Sequence, residues 1–122
     1  MREAGDSGTP RTQRTEDAAR LEAERRAVED GLRVEVLQAH QARQEARSAL
    51  RTSARGLAAA EEAYRVRRLL FDHGRATSVE VIDAETNLLG ARLEQVNAQV
   101  NLLLARARLE HAVGRDVTST PE

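Results

Sequence analysis

The stretch FDHGRATSVEVIDAE, residues 71–85, interrupts two long runs rich in Ala, Leu, Glu and Arg, and its reading decides the fold. Gly74 suits the left-handed position that closes a helix. Just beyond it, Thr77-Ser-Val-Glu80 has the spacing of a capping box. In that motif the threonine hydroxyl accepts from the Glu80 backbone N–H, while the Glu80 carboxylate reaches back to the Thr77 N–H. Ala76 and Val81 occupy the positions of a hydrophobic staple. Glu80, Asp83 and Glu85 fall in the first two turns of the helix so begun, where negative charge offsets the positive end of the macrodipole. A stop signal followed at once by a start signal describes a tight αα-hairpin.

Working outward from the reversal, the run before it contains no proline back to residue 17, and is expected to be one helix over about 17–72, ~85 Å long at 1.5 Å per residue. Gly31 and Gly56 are tolerated weak points, each costing ~1 kcal/mol relative to alanine. The turn takes residues 73–77. A second helix is expected over about 78–113, ~54 Å long, with Gly114 as its C′ residue. Residues 1–16, rich in Gly, Ser, Thr, Pro and charge, are expected to be a disordered leader, and residues 115–122 a disordered tail. The longer first helix leaves its far end without an intrachain partner, so oligomers or fraying are expected there.

Composition agrees with an elongated all-α chain. Of 122 residues, Phe71 and Tyr64 are the only aromatic ones, too few for an ordinary globular core of that length, whereas a third of the chain is charged. The net charge is −1, which gives no reason to expect nucleic acid as a partner. The absence of cysteine removes disulfides, thiolate metal sites and cysteine nucleophiles. No apolar run approaches the ~20 residues of a membrane helix, and MREAGDSGTPRTQRTED has no signal-peptide core. His40, His73 and His111 are too scattered for a metal site and have no nucleophile or carboxylate constellation around them. The expectation is no enzyme, no metal and no cofactor.

The second helix carries two apolar seams. Ile82, Thr86, Leu89, Leu93, Val96, Val100, Leu103 and Ala107 alternate spacings of four and three, the rhythm of a coiled-coil a/d seam. Val81, Ala84, Leu88, Ala91, Gln95, Ala98, Leu102, Ala105, Leu109 and Ala112 keep the same rhythm, roughly 150° around the helix. Polar faces separate them: Asp83, Asn87, Glu94, Asn97, Asn101 and Arg108 on one side, Glu85, Arg92, Gln99 and Arg106 on the other. A helix apolar on both flanks belongs in a wall or ring, though a simple hairpin or a bundle formed by association accounts for the same periodicity. On the first helix, Ala46, Leu50, Ser53, Leu57, Ala60, Tyr64 and Phe71 mark one seam, and Ala59, Ala63, Val66 and Leu70 begin another. Alanine lets helix axes approach closely, so the hairpin is expected to be tightest near its tip. With the reversal near residue 75, Arg65, Arg67 and Arg68 come level with Asp83 and Glu85, and pairing there is expected to help fix register. The row Arg43, Arg47, Arg51 and Arg55 reads as a solvated face or as part of a salt-bridge network.

Tyr64, Gly74, Val79-Glu80-Val81-Ile82-Asp83-Ala84, Asn87-Leu88-Leu89, Ala91-Arg92 and Leu109-Glu-His-Ala112-Val-Gly114 together resemble the outer-membrane efflux protein family, the TolC-like channels, at the helical hairpin that closes the family's second repeat. The run LRVEVLQAHQARQEARSAL, Leu32 to Leu50, resembles the family's preceding long helix, so the likeness covers about Leu21 to Gly114. The fold implied is a hairpin in the α-helical barrel of a trimeric channel. The role implied is a passive export duct for efflux or type I secretion, in the periplasm and outer membrane, working with a periplasmic adaptor and an inner-membrane pump. A complete member has two repeats, four membrane strands and a signal peptide, so a chain with one hairpin is expected to be a fragment.

By the same resemblance, Glu80 and Asp83, which share a helix face, are candidates for a carboxylate ring at the periplasmic constriction. His73, Gly74, Arg75, Ala76, Thr77 and Ser78 are candidates for the adaptor-contacting tip. Capping and dipole compensation explain the same carboxylates without a gate, and a well-capped exposed loop explains the same tip. Two other readings of the whole chain stand beside the channel. One is a free-standing coiled-coil module that self-associates or binds a helical partner. The other is an adaptor-type hairpin, against which no lipoyl-like flanking β motifs are visible.

Overall fold

A computed structural model describes the backbone of residues 10–118 and the side chains of residues 10–114. Two helices, α1 (Pro10–Asp72) and α2 (Ser78–Thr118), run antiparallel against each other, and no strand occurs among the described residues. With 63 and 41 residues they are ~95 Å and ~62 Å long at 1.5 Å per residue.

The helices are longer at both outer ends than the sequence reading allowed. Residues 10–16, expected in a disordered leader, are helical, while residues 1–9 lie outside the described residues. The Gly and Ser residues of that segment sit at 5–8, whereas Pro10 takes the first helical position, where its missing N–H costs nothing. Gly114 does not end α2, which continues to Thr118, and residues 119–122 lie outside the described residues. Among the described residues Gly74 alone has positive φ, so Gly114 is a helical glycine with only a modest propensity cost.

At the reversal, local hydrogen bonds are satisfied in the way the sequence anticipates. Gly74, at φ 72°, donates its N–H to the Phe71 carbonyl at 2.9 Å, and Arg75 donates to the Leu70 carbonyl at 2.7 Å. These are the two bonds of a Schellman motif with Gly74 at C′. A Cβ on Gly74 would meet nothing within 4 Å, so glycine is needed for conformation, not for space. The α2 cap is the capping box: Glu80 N–H donates to Thr77 Oγ1 at 3.2 Å, and Thr77 N–H donates to Glu80 Oε2 at 2.7 Å. Val81 is buried and Ala76 half-buried, as staple positions should be.

The core is a single contact layer. All of it comes from the alanine-bearing seam of α2: Val81, Leu88, Ala98, Leu102, Ala105 and Ala112 are buried, with Ala84, Ala91, Gln95 and Leu109 half-buried among them. The facing stripe of α1 runs through Leu32, Val36, Ala39, Ala46, Leu50, Ser53, Leu57, Ala60 and Tyr64, all half-buried. No α1 residue is fully buried, because the small side chains opposite cannot cover Leu50, Leu57 or Tyr64. At the tip the stripe steps to Arg67 and Leu70 in place of Phe71, which is exposed; Ala59, Ala63 and Val66, expected to begin a second seam, are exposed as well. Burial does not decline away from the tip as expected: Ala112, at the far end, is the most enclosed at 3% exposure.

The register places Ala60 and Ala63 beside Ala84 and Asn87, Ser53 beside Glu94, and Ala39 beside Arg108. Continued outward, it brings the end of α2 level with Glu29, the first residue of α1 that is not fully exposed. Residues 10–28 therefore extend ~28 Å past the described end of α2, and all of them are exposed among the described residues.

Candidate functional site: the acidic tip and the open seam

The tip gathers the candidate residues but gives its two carboxylates different work. Glu80 is committed: Oε2 accepts from the Thr77 N–H and, at 3.3 Å, from the Thr77 hydroxyl, while Oε1 accepts from Arg67 Nη1 at 3.1 Å. The Thr77 backbone bond first, helped by the Arg67 charge and the Thr77 hydroxyl, holds its carboxyl below the usual carboxylate range against an opposing desolvation that outweighs either of the latter two alone. Asp83 makes no ion pair among the described residues and is exposed on the same flank of the hairpin. Together with Ala60, Ala63, Arg67, Ala84 and Asn87, the two carboxylates line an open groove between the helices.

Arg67 is the tip residue that the sequence reading misplaced. It was expected, with Arg65 and Arg68, to meet Asp83 and Glu85; it meets Glu80 instead, and Asp83 and Glu85 take no ion pair among the described residues. Arg65 forms a two-point bond with Glu62 on its own helix, at 2.7 and 2.9 Å, and Arg68 lies 3.9 Å from Asp72. The reason is geometric: Arg67 continues the inward rhythm of Ala60 and Tyr64, whereas Arg65 and Arg68 point away from α2. That rhythm was the available signal. His73 turns back along α1, its Nδ1–H donating to the Leu69 carbonyl at 2.9 Å, and the residue remains exposed at the tip. Arg47, Arg51 and Arg55 of the arginine row are exposed and Arg43 is half-buried.

The second candidate surface is the other seam of α2. Ile82, Leu89, Leu93, Val96, Val100 and Leu103 are all exposed, forming an apolar stripe along the half of the helix nearer the tip. A contiguous exposed apolar stripe of this length is the usual mark of an interaction surface. Of the ten packing residues singled out by periodicity, the structure gives Ala84, Ala91, Ala98 and Ala105 to the intrachain contact and leaves the six larger ones open. No helix is long and apolar enough to cross a membrane, and no group of His, Asp and Glu suited to a metal ion occurs, among the described residues.

Comparison with curated proteins and with solved structures gives no significant match. Comparison with protein families does: residues 7–115, nearly the whole chain, match the outer membrane efflux proteins. A long antiparallel hairpin with one seam closed on itself and another left open is the kind of unit from which a helical wall is built, and with a match of that extent the chain belongs to the outer membrane efflux protein family.

Proposed function

We propose that this hairpin is a periplasmic wall element of a TolC-like outer-membrane channel, a trimer that passively conducts exported substrates delivered by an inner-membrane pump through a periplasmic adaptor. The observation that supports it most is the division of labour on α2. The alanine seam is spent on the chain's own α1, and an apolar seam from Ile82 to Leu103 remains for a neighbouring hairpin. A wall needs both.

Within that reading the acidic tip separates into two roles. Glu80 fixes the reversal and the register through Thr77 and Arg67, and so is a positioning residue. Asp83, unpaired and exposed beside it, is the carboxylate available to line a constriction, where copies from several protomers favour cations. The adaptor contact is the tip from His73 to Ser78, exposed at every residue but half-buried Ala76, with the backbone there held by the Schellman and capping-box bonds.

The test is single-channel conductance of the outer-membrane oligomer carrying this hairpin. Asp83→Asn is expected to reduce the preference for cations, while Glu80→Gln leaves selectivity in place and lowers thermal stability. Unchanged selectivity in Asp83→Asn would remove the constriction role. Failure of a photo-crosslinker at Arg75 to capture the adaptor in cells would remove the docking role of the tip.

A further inference from the structure

The hairpin's own contacts leave the arginine row of α1 without a use. Arg47 and Arg51 stand one turn apart, like charges that disfavour a helix at that spacing, and neither makes an ion pair among the described residues. Each follows an inward position, Ala46 and Leu50. On α2, Arg92, Gln99 and Arg106 likewise follow the inward Ala91, Ala98 and Ala105. In an antiparallel pair, residues one step past the contact line of either helix emerge on the same side of the hairpin. Residues one step before it emerge on the other side, where Thr52, Gly56, Glu94 and Asn97 line one groove and Asp83 and Asn87 line another.

The two sides differ in charge at the same height. The register that sets Ser53 beside Glu94 and Ala39 beside Arg108 brings Arg106 level with Gln41 and Arg92 level with Arg55. Between those levels, over ~21 Å of the hairpin, one side presents Arg47, Arg51, Arg92 and Arg106 with no carboxylate among them. The groove on the other side is lined by Glu45 and Glu94 and by no arginine. Arg92 and Arg106 also edge the open seam of α2, whereas Arg47 and Arg51 belong to α1 and lie apart from it. Between Leu37 and Val66, α1 exposes no large apolar side chain, so a protein docked over Arg47 and Arg51 would find none of the apolar anchors on which interface cores are built. A hydrated polyanion needs none. Guanidinium groups bind carboxylates through paired N–H donors, which suits a ligand that carries that group along its length.

We propose that the arginine side of the hairpin binds the carboxylate-bearing polymer of the cell wall, the glycan whose peptide stems carry free carboxylates. The inference rests on the periplasmic channel element proposed above: with Asp83 turned toward the duct, Arg47, Arg51, Arg92 and Arg106 face outward, into the compartment that this polymer occupies. Copies of the hairpin around an oligomer then set these arginines at one height, as a belt, and many weak contacts add to firm retention. The belt holds the duct laterally and leaves its bore and its open seams untouched.

The test is co-sedimentation of the outer-membrane oligomer carrying this hairpin with purified peptidoglycan sacculi, stripped of attached protein by protease. The wild type is expected to sediment with them, and the double variant Arg47→Gln with Arg51→Gln to bind about ten-fold more weakly, since two exposed contacts are lost in every copy. Glutamine keeps helix propensity and both positions are exposed, so the variant oligomer should keep its thermal stability. Arg14→Gln with Arg20→Gln removes the same charge far from the band and should bind as the wild type does. Sacculi whose carboxylates have been converted to amides should not retain the wild type. Equal loss in the two double variants overturns the proposal, because it marks net charge alone. So does binding that survives amidation, or binding seen only before protease treatment, which marks a protein partner. The duct is tested apart from the belt. If Asp83→Asn lowers cation preference while Arg47→Gln with Arg51→Gln binds sacculi like the wild type, the belt falls and the duct stands. If Asp83→Asn leaves selectivity unchanged while the arginine variant loses sacculi, the belt stands and the constriction falls.

Discussion

The two seams of α2 share one helix and one rhythm, yet the less hydrophobic of them is the one that is buried. Leu102 and Leu103 are neighbours in sequence, 7% and 63% exposed. Around Leu102 the buried seam repeats alanine every seventh residue, whereas around Leu103 the open seam is Ile, Leu and Val. If burial simply followed apolar area, the choice would be reversed. What decides it is the partner: α1 presents Ala46, Ser53 and Ala60 between Leu50, Leu57 and Tyr64, and small residues on both helices let the axes come close enough for the larger ones to interdigitate. The richer seam stays open among the described residues.

The sharpest way to break this comparison is to put a charge into each seam. Ala98→Asp places a carboxylate at a buried position facing α1 and is expected to cost about 3 kcal/mol, enough to melt much of the hairpin. Leu93→Asp, on the open seam, is expected to change the stability of the dilute monomer by less than about 0.5 kcal/mol while disrupting packing against a neighbouring hairpin. Thermal denaturation followed by far-ultraviolet circular dichroism at low micromolar concentration separates the two. Equal losses would mean that the seams are assigned to the wrong surfaces. A milder version uses the adjacent pair. Leu102→Ala is expected to lose about 2 kcal/mol, and Leu103→Ala almost nothing, although both delete the same atoms.

Both seams were legible in the sequence residue by residue, and so was the reversal, because each depends on local spacing. Which seam would face α1 was not legible. Two series of equal period carry no label, and the choice depends on how closely a second helix, from 13 residues away near the tip to 77 at the far end, can approach. Arg67 illustrates the same limit: counting back from the turn puts it near Asp83, but the rotation of α1 that turns half-buried Ala60 and Tyr64 inward pairs it with Glu80. The helix ends were misread for another reason. Gly114 and Pro10 are boundary signals that also have permitted helical positions, and composition over 1–16 averaged the Gly and Ser residues with a following PRTQRTE that propagates a helix.

The tip allows a finer comparison, between its two caps. Gly74→Ala forces a side chain into the left-handed region at φ 72° and is expected to cost about 1–2 kcal/mol, even though the added methyl meets nothing. Thr77→Ala removes the hydroxyl that accepts the Glu80 N–H and is expected to cost about 1 kcal/mol. Urea denaturation of the two variants ranks the caps; a neutral Gly74→Ala would show that the Schellman turn relaxes without loss.

The smallest effect concerns Glu80, and its sign follows from the bonds the carboxylate makes. Thr77 and Arg67 favour the ionised form in the folded hairpin, so its folded value lies below its unfolded one. Such a group contributes its full stabilisation above the unfolded value and loses it as pH falls through the folded value. The hairpin should therefore weaken at acid pH, below the ordinary carboxylate range, with the loss beginning at the tip. Glu62, held low by its two bonds to Arg65, adds a second acid-sensitive contribution, but within α1 alone. Thermal melts of wild type and Glu80→Gln across that range distinguish the two. Glu80→Gln is expected to be less stable than wild type near neutrality and to show a shallower decline in acid, because only the Glu62 contribution remains. An identical pH slope in both proteins would mean that the Thr77–Glu80–Arg67 contacts do not hold the reversal in solution, and that the register is set by the alanine seam alone.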